Sequence, residues 1–142
     1  MSIFDVSKYI LKKCGPMSTW KLQKLCYYSQ AWTLAWGEKP LFDEDFQAWA
    51  NGPVCPELFF AYKGMFIVNA KNAKGDADAL SAEQKENIDI VLKTYGGMEA
   101  YHLREQTHAE APWQNARGEL KEYEKGHHLI SKDSMGEYYG SL

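Results

Sequence analysis

The pattern of hydrophobic positions predicts a mainly α-helical chain. Its strongest helix is predicted over residues 18–36, where apolar side chains first recur at helical spacing and then occupy nearly every side from Leu25 to Trp36. Gly37 follows as a typical residue after a helix C-terminus. Because so few positions in this segment are polar, we interpret it as the central, buried helix of the fold.

Helix periodicity and capping residues predict further helices on both sides of the central one. They are expected over residues 2–13, 56–63, 81–95, 99–106 and 131–139, with an additional helical turn beginning at Pro112. Residues 46–49 instead alternate between apolar and polar, which predicts a strand or extended segment. The expected fold class is mainly α: a single compact domain, residues 1–142, of about six helices with one small extended or β element near residues 41–50.

Length and composition are those of one globular domain. The chain has 142 residues, of which 45% are hydrophobic and 25% charged. Its net charge of −3 is not the strongly basic balance of a nucleic-acid-binding protein. No apolar stretch is long enough to span a bilayer and no signal peptide is visible, so we expect a cytoplasmic protein with no membrane partner. Five Trp and nine Tyr exceed the needs of a small core, and these residue types dominate protein–protein hot spots.

The residues that could carry catalysis do not form a recognised arrangement. The three cysteines are widely spaced and none lies near a histidine in sequence, so neither a disulfide framework nor a zinc site is predicted. A nucleophilic pair would require Cys26 or Cys55 to approach His108. We therefore expect no enzymatic activity, no metal and no cofactor, and keep a small hydrolase built on that pair as an alternative.

Residues 16–30 suggest a second alternative, a helix-turn-helix-like DNA-binding regulator. The segment follows a helix and a tight Gly-Pro turn, as a recognition helix does. Lys21 and Lys24 fall on one side of the predicted helix, and Gln23 is a residue type that reads base edges. Against this interpretation, no arginine occurs before Arg104, although arginine is the commonest base reader.

Two short segments that interrupt helices are candidate binding corners. Asn51-Gly52-Pro53-Val54 contains a glycine and a proline, which fix a turn, and the segment 107–113 packs a His, a Glu and a Trp around Pro112. The predicted partner-binding residues are Trp49, Asn51, Gly52, Pro53, Val54, His108, Glu110 and Trp113. Trp49 is the expected hot spot, because a large aromatic at the centre of an interface contributes strongly to affinity. The alternative is that both corners only hold the fold.

A series of short motifs occurs in a fixed order along nearly the whole chain. They are Lys21-Leu22-Gln23-Lys24-Leu25, Tyr27-Tyr28, Pro40-Leu41-Phe42, Ala48-Trp49, Asn51-Gly52-Pro53-Val54, Pro56-Glu57-Leu58, Tyr95-Gly96, Leu103, Thr107-His108, Glu110 and Pro112-Trp113. In combination they resemble the Panacea antitoxin domain, also called the SocA-like domain, of bacterial and phage toxin–antitoxin pairs. Each motif alone would be weak, and the combination is specific.

The resemblance implies a small, mainly α, non-enzymatic antitoxin whose partner is a cognate protein toxin. In this family neutralisation is generally direct protein–protein binding, whereas the founding SocA-type member acts as an adaptor that delivers its toxin to a protease. Some members carry an additional N-terminal DNA-binding domain, for which this chain has no room, so binding to DNA is not expected.

Overall fold

The computed structural model describes residues 1–142 as seven α-helices and a short 3-10 helix, Ala77–Ala79. The α-helices are α1 Ile3–Cys14, α2 Thr19–Ala35, α3 Pro56–Ala61, α4 Ala82–Tyr95, α5 Ala100–His108, α6 Ala111–Arg117 and α7 Lys132–Gly140. The predicted mainly α class is confirmed. The count is one higher than expected, because the turn predicted at Pro112 extends into the full helix α6.

Helix α2 is the centre of the fold. It packs against α1, α4, α5 and α7, and 11 of its 17 residues are buried. Ser18 begins the helix, since its hydroxyl accepts a hydrogen bond from the Lys21 amide at 3.1 Å. The prediction of a central buried helix is therefore confirmed. Neither α2 nor any other helix combines the length and apolar character that crossing a membrane requires.

The starts of α1 and α4 follow directly from short sequence signals. Ser2 caps α1 and pairs with Asp5 in a capping box, and Ser81 does the same for α4 with Gln84. In each case the serine hydroxyl accepts from a backbone amide while the residue three positions later accepts from the serine amide. These local bonds satisfy amides that a helix start leaves without partners.

Five short strands form two small antiparallel sheets. They are β1 Met17–Ser18, β2 Phe46–Trp49, β3 Gly52–Val54, β4 Ile67–Val68 and β5 Leu129–Ile130. Strand β1 pairs with β4, and the other three form a sheet in the order β3-β2-β5. The expected single extended element near residues 41–50 is thus one strand of a larger sheet. Gly52, Pro53 and Val54, expected to fix a turn, form strand β3, with Pro53 opposite Ala48; proline is tolerated there because β3 is an edge strand.

Candidate partner-binding site

A groove of about 630 Å³ lies between the start of α2, the β2–β3 turn and the segment 122–127. We call it the aromatic groove and define it by Trp20, Trp49, Asn51, Phe59, Arg104 and Tyr123. Three of its rings form a continuous wall, with centroids 6.1 Å apart between Trp20 and Phe59 and 5.0 Å apart between Phe59 and Trp49. Adjacent aromatic rings such as these can bury a large apolar area against a partner.

Exposed aromatic side chains surround the aromatic groove. Tyr123 is 77% exposed, and Phe60 and Tyr101 are also mostly exposed. The Phe60 ring continues the aromatic wall, since its centroid lies 5.3 Å from that of Phe59. Single exposed apolar residues are ordinary, but a contiguous group of them beside a concave surface is typical of an interaction site.

Helix α6 holds the β2 strand in place beneath this groove. The Trp113 indole donates to the Trp49 carbonyl at 2.8 Å, and the Arg117 guanidinium donates to the Ala48 carbonyl at 3.0 Å. The Trp49 indole in turn donates to Gln47 at 2.9 Å. The corner at 107–113 therefore contacts β2 directly, and hydrogen bonds hold both the backbone carbonyl and the indole of Trp49.

His108 lines a second depression, of about 420 Å³, that shares only Glu122 with the aromatic groove. Its ring stacks on Trp113 with centroids 3.8 Å apart, and its Nδ1 lies 3.1 Å from a Glu122 carboxylate oxygen. Burial lowers the pKa of His108 below its usual value, and the contact with Glu122 opposes that shift. His108 thus packs the corner and is only slightly exposed.

Glu110 faces the core. One carboxylate oxygen accepts hydrogen bonds from the hydroxyls of Tyr28 and Tyr139, both at 2.7 Å, and the other accepts from Gln106 at 3.1 Å. Burial raises the pKa of both tyrosines, and the charge of the Glu110 carboxylate raises both pKa values further. Glu110 therefore joins α2, α5 and α7 through a buried polar network.

The structure divides the predicted partner-binding residues into two groups. Gly52, Pro53, Val54, His108, Glu110 and Trp113 are buried. Trp49 is half-buried and Asn51 is exposed, and both line the aromatic groove. In the free protein, Trp49 and Asn51 are accessible to a partner. That a partner contacts any of the eight residues stays a prediction.

Sequence reasoning missed four residues of the aromatic groove: Trp20, Phe59, Arg104 and Tyr123. Tyr123 carried a usable signal, because an aromatic residue inside a charged, loop-like stretch has no core to fill. The other three lie on helices, where periodicity alone does not show which side faces a groove.

Two of the three side chains named for DNA contact are buried. The Gln23 amide bridges the backbone of Cys55, donating to its carbonyl at 3.1 Å and accepting from its amide at 2.8 Å. Lys24 is also buried. The expectation that Gln23 reads a base edge is therefore wrong, because both of its polar atoms are engaged in joining α2 to the start of α3.

Lys24 extends from α2 beneath the β2–β3 turn. The residue is 1% exposed, and its amine makes no hydrogen bond; the closest ring is that of Trp20, whose centroid lies 5.1 Å from Nζ. Gly52 leaves room for this side chain: it has a φ of +110°, and a Cβ there would lie 2.8 Å from the Lys24 Cε. Burial, reinforced by the charge of Arg104, lowers the pKa of Lys24 to about 7.

Lys24→Met is expected to stabilise the protein. The unfolded chain keeps the ordinary lysine pKa of 10.5 while the folded state has about 7, so below pH 7 both states are protonated and the fold carries the full cost of a buried charge. Methionine fills similar space without that cost. We expect the free energy of unfolding to rise by about 1–3 kcal/mol near pH 7.

The pH dependence of this gain identifies its cause. Between pH 7 and 10.5 the unfolded state binds more protons at this site, so the wild type regains stability as the pH rises and the advantage of Lys24→Met shrinks. Urea unfolding of the wild type and of Lys24→Met, near pH 7 and near pH 10, measures the difference in their free energies of unfolding. Contributions from other titrating groups cancel in this difference. A gain of equal size at both pH values would show that burial of the charge is not its origin.

Comparison with known proteins assigns the chain to a class of antitoxin-like domains. Residues 22–114, well over half of the chain, match the family described as "Antitoxin SocA-like, Panacea domain". The protein therefore belongs to the SocA-like Panacea family. The matched region contains Trp49, Asn51, Phe59 and Arg104 of the aromatic groove, together with Glu110.

The chain is also similar to a curated relative, "Antitoxin SocA" of Caulobacter vibrioides (strain NA1000 / CB15N). The two are 33% identical over 110 residues, which cover 69% of this chain and 58% of the relative. This chain thus spans less than two thirds of that protein's length. No solved structure matches the chain.

Proposed function

We propose that the protein is an antitoxin that neutralises a cognate protein toxin by binding it directly through the aromatic groove. Membership of the SocA-like Panacea family is the observation that carries the proposal. The groove supplies a surface suited to the task, because its aromatic wall is accessible and lies largely within the matched region.

The rigidity of the groove supports tight binding. Trp49 is held by its own indole bond to Gln47 and by the bond from Trp113 to its carbonyl. A side chain that is already fixed loses little conformational entropy when a partner covers it. Trp49 is therefore the side chain we expect to contribute most to the affinity.

The test variants are Trp49→Ala and Asn51→Ala, and the control is Trp36→Ala. The control removes another partly exposed tryptophan, at the C-terminal end of α2, whereas the aromatic groove lies at the N-terminal end. The candidate toxin is the product of the open reading frame next to the gene for this protein. It is expressed in cells alone and together with each variant. We expect the toxin affinity to fall about thirtyfold or more for Trp49→Ala and growth rescue to weaken, because a central aromatic contributes more than about 2 kcal/mol. Trp36→Ala should rescue as the wild type does.

The melting temperature of each free variant separates binding from folding. A variant that loses rescue but keeps the wild-type melting temperature supports the groove as the contact surface. Full rescue by both Trp49→Ala and Asn51→Ala would refute that assignment. Neutralisation by the purified protein in an assay without protease supports direct binding. Neutralisation that requires added protease would instead identify an adaptor.

The same proposal holds that the protein is not an enzyme, so its cysteines are dispensable. Burial raises the pKa of the Cys55 thiol to about 12 and that of Cys26 well above its usual value, which keeps both thiols protonated and unreactive. Cys55→Ala and Cys26→Ala are expected to rescue cells fully once any loss of stability is matched by temperature. Complete loss of function in Cys55→Ala with an intact fold would support the hydrolase alternative.

A further inference from the structure

We propose that a pocket next to the aromatic groove binds a carboxylate side chain, aspartate or glutamate, of the toxin between Lys24 and Arg104. The inference rests on the proposed function and adds the chemistry by which the partner is recognised. The pocket has a volume of about 200 Å³ and is lined by Trp20, Lys24, Asn51, Ala100, Tyr101 and Arg104. It shares Trp20, Asn51 and Arg104 with the aromatic groove, so one partner can occupy both.

The buried amine of Lys24 is the first reason for an anionic ligand. Its Nζ has three donors and no hydrogen-bond acceptor, although the residue is almost completely buried. A buried cation without an acceptor destabilises a fold, and an apolar side chain of the same length would avoid that cost. Lys24 is one of the residues that line the pocket, so a carboxylate that enters it and reaches the amine would supply the acceptor that is absent.

Arg104 supplies the second cation and orients the ligand. Its guanidinium contacts Glu105 at 2.6 Å and Glu122 at 3.7 Å, and its side chain is 27% exposed. These two glutamates fix the guanidinium from outside the pocket. The planar guanidinium matches the geometry of a carboxylate, and a short anionic side chain placed between Arg104 and Lys24 would contact both cations.

The surroundings select one carboxylate over an extended polyanion. Glu105 and Glu122 lie against Arg104, so every further charge of a phosphate backbone would add a repulsion that a single carboxylate does not bring. Trp20 and Tyr101 line the pocket with aromatic surface, which suits the methylene groups of an acidic side chain. The size and charge of the pocket therefore fit a single acidic residue that projects from a protein surface.

A titration of the free protein tests the pocket without the toxin. The probes are N-acetyl-glutamate N-methylamide and its glutamine counterpart, followed by NMR through the backbone amides of Asn51, Gly52 and Arg104. We expect saturable shifts in the millimolar range with the glutamate compound, no response to the glutamine compound, and loss of the response in Lys24→Met. Lys12→Met, which makes the same change on the exposed side of α1, should respond as the wild type does. Equal responses to both compounds, or none to either, would overturn the proposal.

The second measurement uses the toxin complex. We expect Lys24→Met to bind the toxin about thirtyfold or more weakly while melting at the same temperature as the wild type or higher. If Lys24 only supported the fold, its substitution would lower the melting temperature and the toxin affinity together. A lower affinity with an unchanged or higher melting temperature therefore identifies a ligand contact. Unchanged toxin affinity in Lys24→Met would overturn the pocket and leave the proposed function standing. A wild-type protein that binds no toxin would instead refute the proposed function, and the titration alone would then decide whether the pocket takes a carboxylate.

Discussion

Leu25→Asp is expected to leave no stably folded protein. Leu25 lies near the middle of α2 with 0% of its surface exposed, and it belongs to the single large cluster of buried apolar side chains. A carboxylate there would have no cation or donor to compensate its loss of water, at a cost of several kcal/mol added to the lost apolar burial. Because a domain of this size has a total stability of about 5–15 kcal/mol, one such substitution removes most of it.

The measurement is the yield of soluble protein, with near-ultraviolet circular dichroism and amide NMR dispersion on whatever is recovered. Ile90→Asp is the matched control, since Ile90 is a helical residue of α4 that is 49% exposed. It should fold with a change of about 0.5 kcal/mol or less. A soluble Leu25→Asp protein that melts as the wild type does would mean that α2 is not the core helix.

The helices could be predicted from the sequence because their signals are local. The apolar run from Leu25 onward and the capping boxes at Ser2 and Ser81 each lie within one helix. The sheet could not be predicted, because strand β2 pairs with β5 about 80 residues later and a two-residue strand carries no periodicity of its own. Gly52 and Pro53 predict a turn, although their pairing with β2 is local and places Pro53 opposite Ala48; a three-residue strand that contains both residues carries no strand signal of its own.

The candidate site was predictable only in part for a similar reason. Trp49 and Asn51 belong to a motif that the sequence displays, whereas the groove also needs Trp20, Phe59 and Arg104 from three separate helices. The sequence pattern places Lys24 on the basic side of α2. Its burial arises because the β2–β3 turn covers it, with Gly52 leaving the space.

Glu110 illustrates how a residue in a binding motif can serve the fold. It is the N-cap of α6, but its side chain makes no capping bond and instead points into the core. There a single oxygen accepts from both Tyr28 and Tyr139, whose rings lie 5.9 Å apart. Hydrogen bonds from neutral donors to a buried carboxylate are stronger than ordinary ones, so the network adds a polar link to the packing of α2 against α7.

Glu110→Ala is therefore expected to lower the free energy of unfolding by about 3–5 kcal/mol, because it leaves the buried Tyr28 hydroxyl without an acceptor, leaves Tyr139 only the Tyr27 hydroxyl as a partner, and opens a cavity. Glu110→Gln keeps a carbonyl oxygen in the same place, and reorientation of the Gln106 amide can satisfy the new amide group, so its expected cost is only about 1 kcal/mol. Urea unfolding measures both, with Glu119→Ala as a control because Glu119 is exposed in the loop after α6. If Glu110→Ala is as stable as the wild type but no longer neutralises the toxin, Glu110 acts in partner binding, as its motif first indicated, and the tyrosine network does not depend on it.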